Sequence, residues 1–234
     1  MKFIHVAGIT LVSACLMIGQ TSCSSMTNTG KGALIGGGGG TALGAGLGAL
    51  IGGSKGAGIG AAIGAAVGAG AGALIGNKMD KQKAELQKQL ADQATVEEVQ
   101  DQNGLKAIKV TFDGGILFPT NGITLNQHAQ QDLSGFARNI IDNPGTDVQV
   151  YGFTDNTGSY QVNERVANGR ADAVMTYLVN SGVAPTRITA QGIPMADYVA
   201  SNDTAAGRAQ NRRVEVYITA SEQMIQQAQN GTLK

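Results

Sequence analysis

Between Gly32 and Gly76, glycine occupies every fourth position without a miss: Gly32, Gly36, Gly40, Gly44, Gly48, Gly52, Gly56, Gly60, Gly64, Gly68, Gly72 and Gly76. Of the 35 glycines in the chain, 20 lie between Gly30 and Gly76, and most residues among them are Ala, Leu, Ile and Val. Each glycine costs a helix about 1 kcal/mol relative to alanine, so a lone helix of this kind does not persist in water. The spacing suits two helix backbones in close contact, where small residues permit packing that hydrophobic exclusion cannot supply. Ser54-Lys55 divides the stretch into halves, each about the ~30 Å of a bilayer core. The pattern predicts a glycine-rich helical hairpin over 32–78 with a polar tip at Ser54-Lys55. On a straight helix the stripe drifts by about 40° per step, so a ridge-following crossing fits better than a long seam. Membrane insertion and oligomer packing both satisfy the pattern. A glycine-rich spacer without regular structure is the alternative.

Charge is divided as unevenly as glycine. Lys and Arg total 17 and Asp and Glu total 17, yet no acidic residue precedes Asp80. Of ten Phe and Tyr residues, only Phe3 precedes Phe112, so an aromatic-containing core belongs to the second half. The balanced charge gives no bulk field toward nucleic acid. The two cysteines, Cys15 and Cys23, both lie near the N-terminus, which excludes a four-cysteine zinc site. His128 is the one histidine outside the first apolar run, and no nucleophile elbow accompanies it.

Lys2, the apolar run Phe3 to Gly19 and the polar Gln20-Thr21-Ser22 read as a secretory signal over 1–22. The run is short for a transmembrane span, which stays as the alternative. The small residues ending in Cys resemble a bacterial lipoprotein signal, in which the Cys is acylated after cleavage. Val12-Ser13-Ala14-Cys15 fits the lipobox better, whereas Thr21-Ser22-Cys23 places the Cys after the hydrophobic run. Cys23 is preferred and Cys15 is the alternative. Residues 23–31 then form an N-terminal tether. Ser24, where an Asp favours inner-membrane retention in lipoproteins, implies the periplasmic face of the outer membrane, with its lipid as partner. Two or three acyl chains anchor stably where one is marginal.

Residues 79–105 are polar and rich in helix formers, and predict a charged linker helix. Lys81–Glu85 and Lys88–Asp92 have i,i+4 spacing, while Leu86 and Leu90 leave a thin apolar stripe. Glu97-Glu98 reads as solvated. Beyond it, Ala107 to Phe112 reads as a strand that Ile116 to Phe118 continues. Thr124 reads as the cap of a helix with Leu125, Ala129, Leu133, Phe136 and Ile140 on one face, and His128 exposed on its flank. Asp142-Asn143-Pro144-Gly145 is a turn, Asp147 to Gly152 a strand and Tyr160 to Asn180 a helix. Arg187 to Gly192 and Arg212 to Ile218 are further strands. This order predicts an α/β (α+β) β-α-β-α-β-β sandwich with a mixed sheet over 106–219, followed by a tail over 220–234.

A set of motifs runs through this region: Gly152-Phe153-Thr154-Asp155-Asn156-Thr157-Gly158, then Asn163, then Arg170-Ala171, then Gly182-Val183 and Arg187-Ile188. Ser201-Asn202-Asp203-Thr204 follows, and then Gly207-Arg208-Ala209-Gln210-Asn211-Arg212-Arg213-Val214-Glu215. Together they resemble the OmpA-like peptidoglycan-binding domain, and the segment 32–76 resembles the glycine zippers found beside such domains. Val166-Ala167 and Phe118-Pro119 depart from the usual Leu-Ser and Phe-Asp. The resemblance implies a site for the diaminopimelate of the peptidoglycan stem, with Asp155 on its ammonium and Arg170 on its carboxylate. Asn163, Thr154, Phe118, Asn211 and Arg212 are implied beside them. The chemistry is sensible on its own terms, since Arg offers a bidentate fork to carboxylate. Alone, the Asp155 loop would be an ordinary turn and Arg170 a surface ion pair.

The expectation is a non-enzymatic envelope tether, with lipid and zipper at one end and peptidoglycan at the other. It implies no cofactor, no metal and no nucleic-acid partner. The competing expectation is a zipper-mediated homo-oligomer or pore that the wall domain positions. A proton-driven stator lacks the acidic residue it would need within the zipper. No carboxylate pair with glycosidase spacing is legible.

Overall fold

The computed structural model describes residues 69–91, 93–101, 103–119 and 122–234. The signal, both cysteines and the hairpin up to residue 68 lie outside the described residues. What is described begins with a helix, α1 (Ala69–Gln89), and ends with a helix, α6 (Glu222–Gln229). Between them come β1 (Ala94–Gln100), β2 (Lys106–Asp113), α2 (Gly114–Leu117) and α3 (Gln127–Asp142). The chain continues through β3 (Thr146–Phe153), α4 (Tyr160–Asn180), β4 (Ile188–Ile193), α5 (Ala205–Asn211) and β5 (Arg213–Ala220).

Five strands form one mixed sheet in the order β1-β2-β5-β3-β4. All neighbours are antiparallel except β3 and β4, which are parallel and joined by the crossover helix α4. The predicted β-α-β-α-β-β order from residue 106 is present, with Asp147 to Gly152 and Tyr160 to Asn180 as expected. Alternation sorts the strands: Ile108, Val110 and Phe112 of β2 and Val214, Val216 and Ile218 of β5 enter the main core. They meet Leu133, Phe136 and Ile140 of α3 and Val174 and Leu178 of α4. The opposite face carries a smaller cluster of Tyr151, Phe153, Ile193 and Tyr217. Glycine makes the helix-to-sheet approach close: a Cβ on Gly152 would lie 2.2 Å from the Ala167 carbonyl oxygen of α4.

Several expectations are corrected. The predicted boundary between zipper (32–78) and charged linker helix (79–105) falls inside α1, which runs unbroken from Ala69 to Gln89. This helix is not a solvated stalk. Ala71, Ile75, Met79, Gln82, Leu86 and Leu90 are buried against the domain. Beyond it the chain forms a strand: β1 pairs with β2 from Ala94↔Phe112 to Gln100↔Lys106. The β-branched Thr95, Val96 and Val99 favour the extended state, and pairing with β2, with Val96 packing on the main core and Val99 on the opposite-face cluster, overrides the helical preference of Glu97-Glu98. Asn103-Gly104 turns the hairpin, with Gly104 at φ +71°. Asp101 Oδ1 accepts from the amides of Asn103 and Leu105 at 2.8 Å each.

Charges on α1 reach across to the sheet, and those of β1 are met by α1 and β2. Lys83 reaches Glu98 at 2.8 Å, Asp80 reaches Lys106 at 2.9 Å, and Glu97 pairs with Lys109 at 2.7 Å. Ile116 does not extend a strand, because Gly114–Leu117 is a helical turn capped by Asp113. The cap of α3 is Asn126, not Thr124. Asn126 accepts from the Ala129 amide at 2.8 Å and donates to the Ile116 carbonyl at 2.6 Å, so one side chain fixes both ends of that loop. The predicted tail is partly core: Ser221 caps α6, and Met224, Ile225 and Ala228 are buried.

Candidate functional site

The loop after β3 is built to hold a carboxylate. Asp155 lies two residues past the end of β3 and is buried, 4% exposed. Its Oδ1 accepts from the Thr157 amide at 2.8 Å and from the Thr157 hydroxyl. Its Oδ2 accepts from Arg212 Nη1 at 2.7 Å. Asn163, in the first turn of α4, donates to the Thr157 carbonyl at 2.7 Å and the Ser159 carbonyl at 3.1 Å. Gly158, at φ +86°, lets the loop turn into α4. Burial pushes the Asp155 carboxyl up, but the hydrogen bonds from Thr157 and Arg212 outweigh it and hold the group below its ordinary value.

Arg170 comes from the second turn after Asn163 on α4 and is 3% exposed. Its Nε donates to the Gly122 carbonyl at 3.1 Å, and its guanidinium carbon lies 5.2 Å from the centre of the Phe118 ring. Nη1 is buried and has no hydrogen-bond partner among the described residues. Burial lowers the pKa of Arg170, Arg212 lowers it further, and Asp155 opposes both. The group remains a cation at neutral pH. Gly114 lies between the two arginines: a Cβ there would stand 2.4 Å from the Arg212 carbonyl oxygen and 3.4 Å from Arg170 Nη1. Nothing in the sequence pattern singled out Gly114, since its role depends on a contact between distant segments.

The other predicted residues divide by role. Asp155, Arg170, Arg212 and Asn163 converge. Phe118 is buried and backs Arg170. Thr154 accepts from the Met195 amide at 3.0 Å, and Asn211 accepts from the Val199 and Ala200 amides at 2.9 and 3.0 Å. Those two position the loop before α5. Met195 and Asp197 of that loop adopt φ +51°, and the Asp197 carbonyl accepts from Arg213 at 3.0 Å.

The three neighbouring arginines also separate. Arg208 donates to the Asn202 carbonyl at 2.7 Å, and Arg212 reaches Asp155. Arg213 points to the opposite sheet face, 3.8 Å from the Phe153 ring centre and 2.6 Å from Glu215. Arg187 is a latch, donating to the carbonyls of Ile140, Asn143 and Thr146. His128 is exposed and meets Asp132 at 3.1 Å, away from this cluster. No group of side chains among the described residues could hold a metal ion. No helix of the described residues is long and apolar enough to cross a membrane.

The fold is thus a mixed α/β sandwich in which a buried carboxylate, Asp155 after β3, and a buried guanidinium, Arg170 on α4, lie near each other. Residues 117–212 match the model of the OmpA family, and residues 39–83 match that of the Glycine zipper. The chain therefore carries an OmpA family domain and a glycine zipper. It is 38% identical over 112 residues to the probable lipoprotein YiaD of Escherichia coli K12, covering 48% of this chain and 51% of that one. It is likewise 38% identical over 112 residues to the peptidoglycan-binding protein ArfA of Mycobacterium tuberculosis, covering 48% and 34%. The chain thus spans about half or less of these curated relatives. Among solved structures, the cell wall anchor of the T6SS from Pseudomonas aeruginosa matches with a TM-score of 0.51 and 29% identity, covering 58% of this chain and 97% of that one.

Proposed function

We propose that this protein is a non-enzymatic tether between the outer membrane and the cell wall. Its OmpA-like domain binds peptidoglycan non-covalently through the diaminopimelate of the stem peptide. Asp155 receives the ammonium and Arg170 the carboxylate, with Arg212 beside them. Cys23 carries lipid, Cys15 being the alternative, and the glycine zipper strengthens the hold on the membrane or on further copies of the chain. The observation that carries this reading is Arg170: a buried guanidinium with a donor that has no partner among the described residues, set near a buried carboxylate, in a segment that matches the OmpA family. A cation so placed is stabilised by an anion of matching fork geometry. The name of the related ArfA and the description of the related wall anchor support the partner class.

Binding is expected to be modest per site and strengthened by many linked copies. The test is co-sedimentation of the full chain with purified sacculi. Arg170→Ala abolishes it and Asp155→Ala weakens it while the circular dichroism spectrum is preserved; undiminished sedimentation of both variants refutes the site. Intact-mass measurement of the mature N-terminus separates Cys23 from Cys15 and from an unlipidated chain.

A further inference from the structure

The site contains two guanidinium groups and one carboxylate, and their hydrogen bonds are unevenly met. Both oxygens of Asp155 are engaged within the protein, one by Thr157 and the other by Arg212 Nη1 at 2.7 Å. Among the described residues, Arg170 makes its hydrogen bond from Nε, and its Nη1 is buried without a partner. The cluster therefore carries one excess positive charge, and two cations stand near one anion. An ammonium that arrives at Asp155 meets a charge that Arg212 already offsets. A carboxylate that arrives at Arg170 meets a cation with an unmet donor in surroundings that strengthen charge-assisted bonds.

We infer that the site selects stem peptides by the charge on the side-chain carboxylate of their diamino acid, the ammonium being a minor determinant, so that stems amidated at that carboxylate are excluded. This rests on the peptidoglycan reading above and ranks the two contacts that reading assigns. Amide and carboxylate have nearly the same shape, so exclusion acts through charge. The amide removes the negative charge and turns one acceptor into a donor that faces the donors of Arg170. Arg212 sets the ranking as a positioning residue, because its contact with Asp155 leaves little for the ammonium to gain.

The test is calorimetric titration of the detergent-purified full chain with four soluble tripeptide stems. They carry meso-diaminopimelate, its side-chain amide, its analogue lacking the side-chain amino group, and lysine. The amide and lysine stems are expected to bind about 30-fold more weakly or worse, and the desamino stem only about fivefold more weakly. In Arg212→Gln, with folding checked by thermal melting, Asp155 loses its resident cation. The desamino penalty then grows and the amide penalty shrinks, a reversal that a purely structural role for Arg212 does not produce. A desamino penalty in the wild type equal to or above the amide penalty overturns the ranking and leaves the peptidoglycan reading standing. Failure of the unmodified stem to bind overturns both.

Discussion

Leu86→Ala tests whether α1 belongs to the same folded unit as the sheet. Leu86 is 0% exposed and sits in the main core with Ile75 and Met79 of the same helix and with Leu90 just after it. Truncating a buried leucine to alanine costs about 2–5 kcal/mol, through lost burial and the cavity left behind. With a urea dependence of about 2 kcal/mol/M, a loss of about 3 kcal/mol moves the unfolding midpoint down by about 1.5 M. Lys88→Ala, on the exposed side of α1, is the control and shifts the midpoint by no more than about 0.25 M. Tyrosine fluorescence is the probe of choice because the chain has no tryptophan. Tyr151 and Tyr217 pack edge to face at 5.7 Å on the sheet face opposite the main core. A tyrosine transition that moves with Leu86→Ala therefore reports one cooperative unit. If the tyrosine midpoint stays fixed while helical signal is lost separately, α1 is an appendage and the domain begins near Lys106.

Gly152→Ala is expected to cost about 3 kcal/mol or more by forcing α4 away from β3, read as a lowered melting temperature. Gly135→Ala, where an added Cβ meets nothing within 4 Å, is expected to stabilise α3 by about 0.5–1 kcal/mol in the same assay. Glu215→Ala leaves the Arg213 guanidinium, with its side chain only 5% exposed, beside Phe153 without its charge partner. A destabilisation of about 3–5 kcal/mol in urea unfolding is expected, with sacculus binding per folded molecule unchanged. The Asp155 carboxyl is held below its ordinary 3.8, so its contribution to stability is complete above that value and is lost as pH falls through the lower, folded value. An acid titration followed by circular dichroism should show a shallower loss below about pH 4 in Asp155→Asn than in the wild type.

The readable part of the sequence was the part where local pattern and fold agree. β3, α4, β4 and β5 each carry a period of two or of 3.6, with turn residues between them, and each appears where the pattern put it. The convergence of Asp155, Asn163 and Arg170 followed from a loop, a helix and the direction in which helical side chains lean. What failed was the assignment of boundaries. The stripe looks thin when Ile75 is assigned to the glycine segment and Met79, Leu86 and Leu90 to a separate linker. Joined, they form one core-facing stripe. β1 was hidden by Glu97-Glu98, although Asn103-Gly104 followed by the alternating Ala107–Phe112 is a hairpin signal. The partner of Asp155 was not legible either. Arg212 lies far off in sequence, and only the approach of its backbone to Gly114 aims it there.

Two patterns that looked separate in sequence share one face of α1. A Cβ on Gly76 would lie 3.4 Å from the Lys106 side chain, and one on Gly72 would lie 4.0 Å from Leu105. A Cβ on Gly70, which is off the four-residue register, would meet nothing within 4 Å. At this end, then, the glycine register packs against the start of β2 in the same chain. Lys106 lies over Gly76 as it reaches Asp80, and the buried Gln82 amide donates to Asn139 Oδ1 of α3 at 3.0 Å. Packing, ion pairs and an amide bond thus hold one helix face to β1, β2 and α3 at once, so α1 is not a leash. A leash raises local concentration by letting a domain search. A docked helix restricts that search and fixes direction instead: whatever holds the start of α1 also sets the orientation of the Asp155–Arg170 pair.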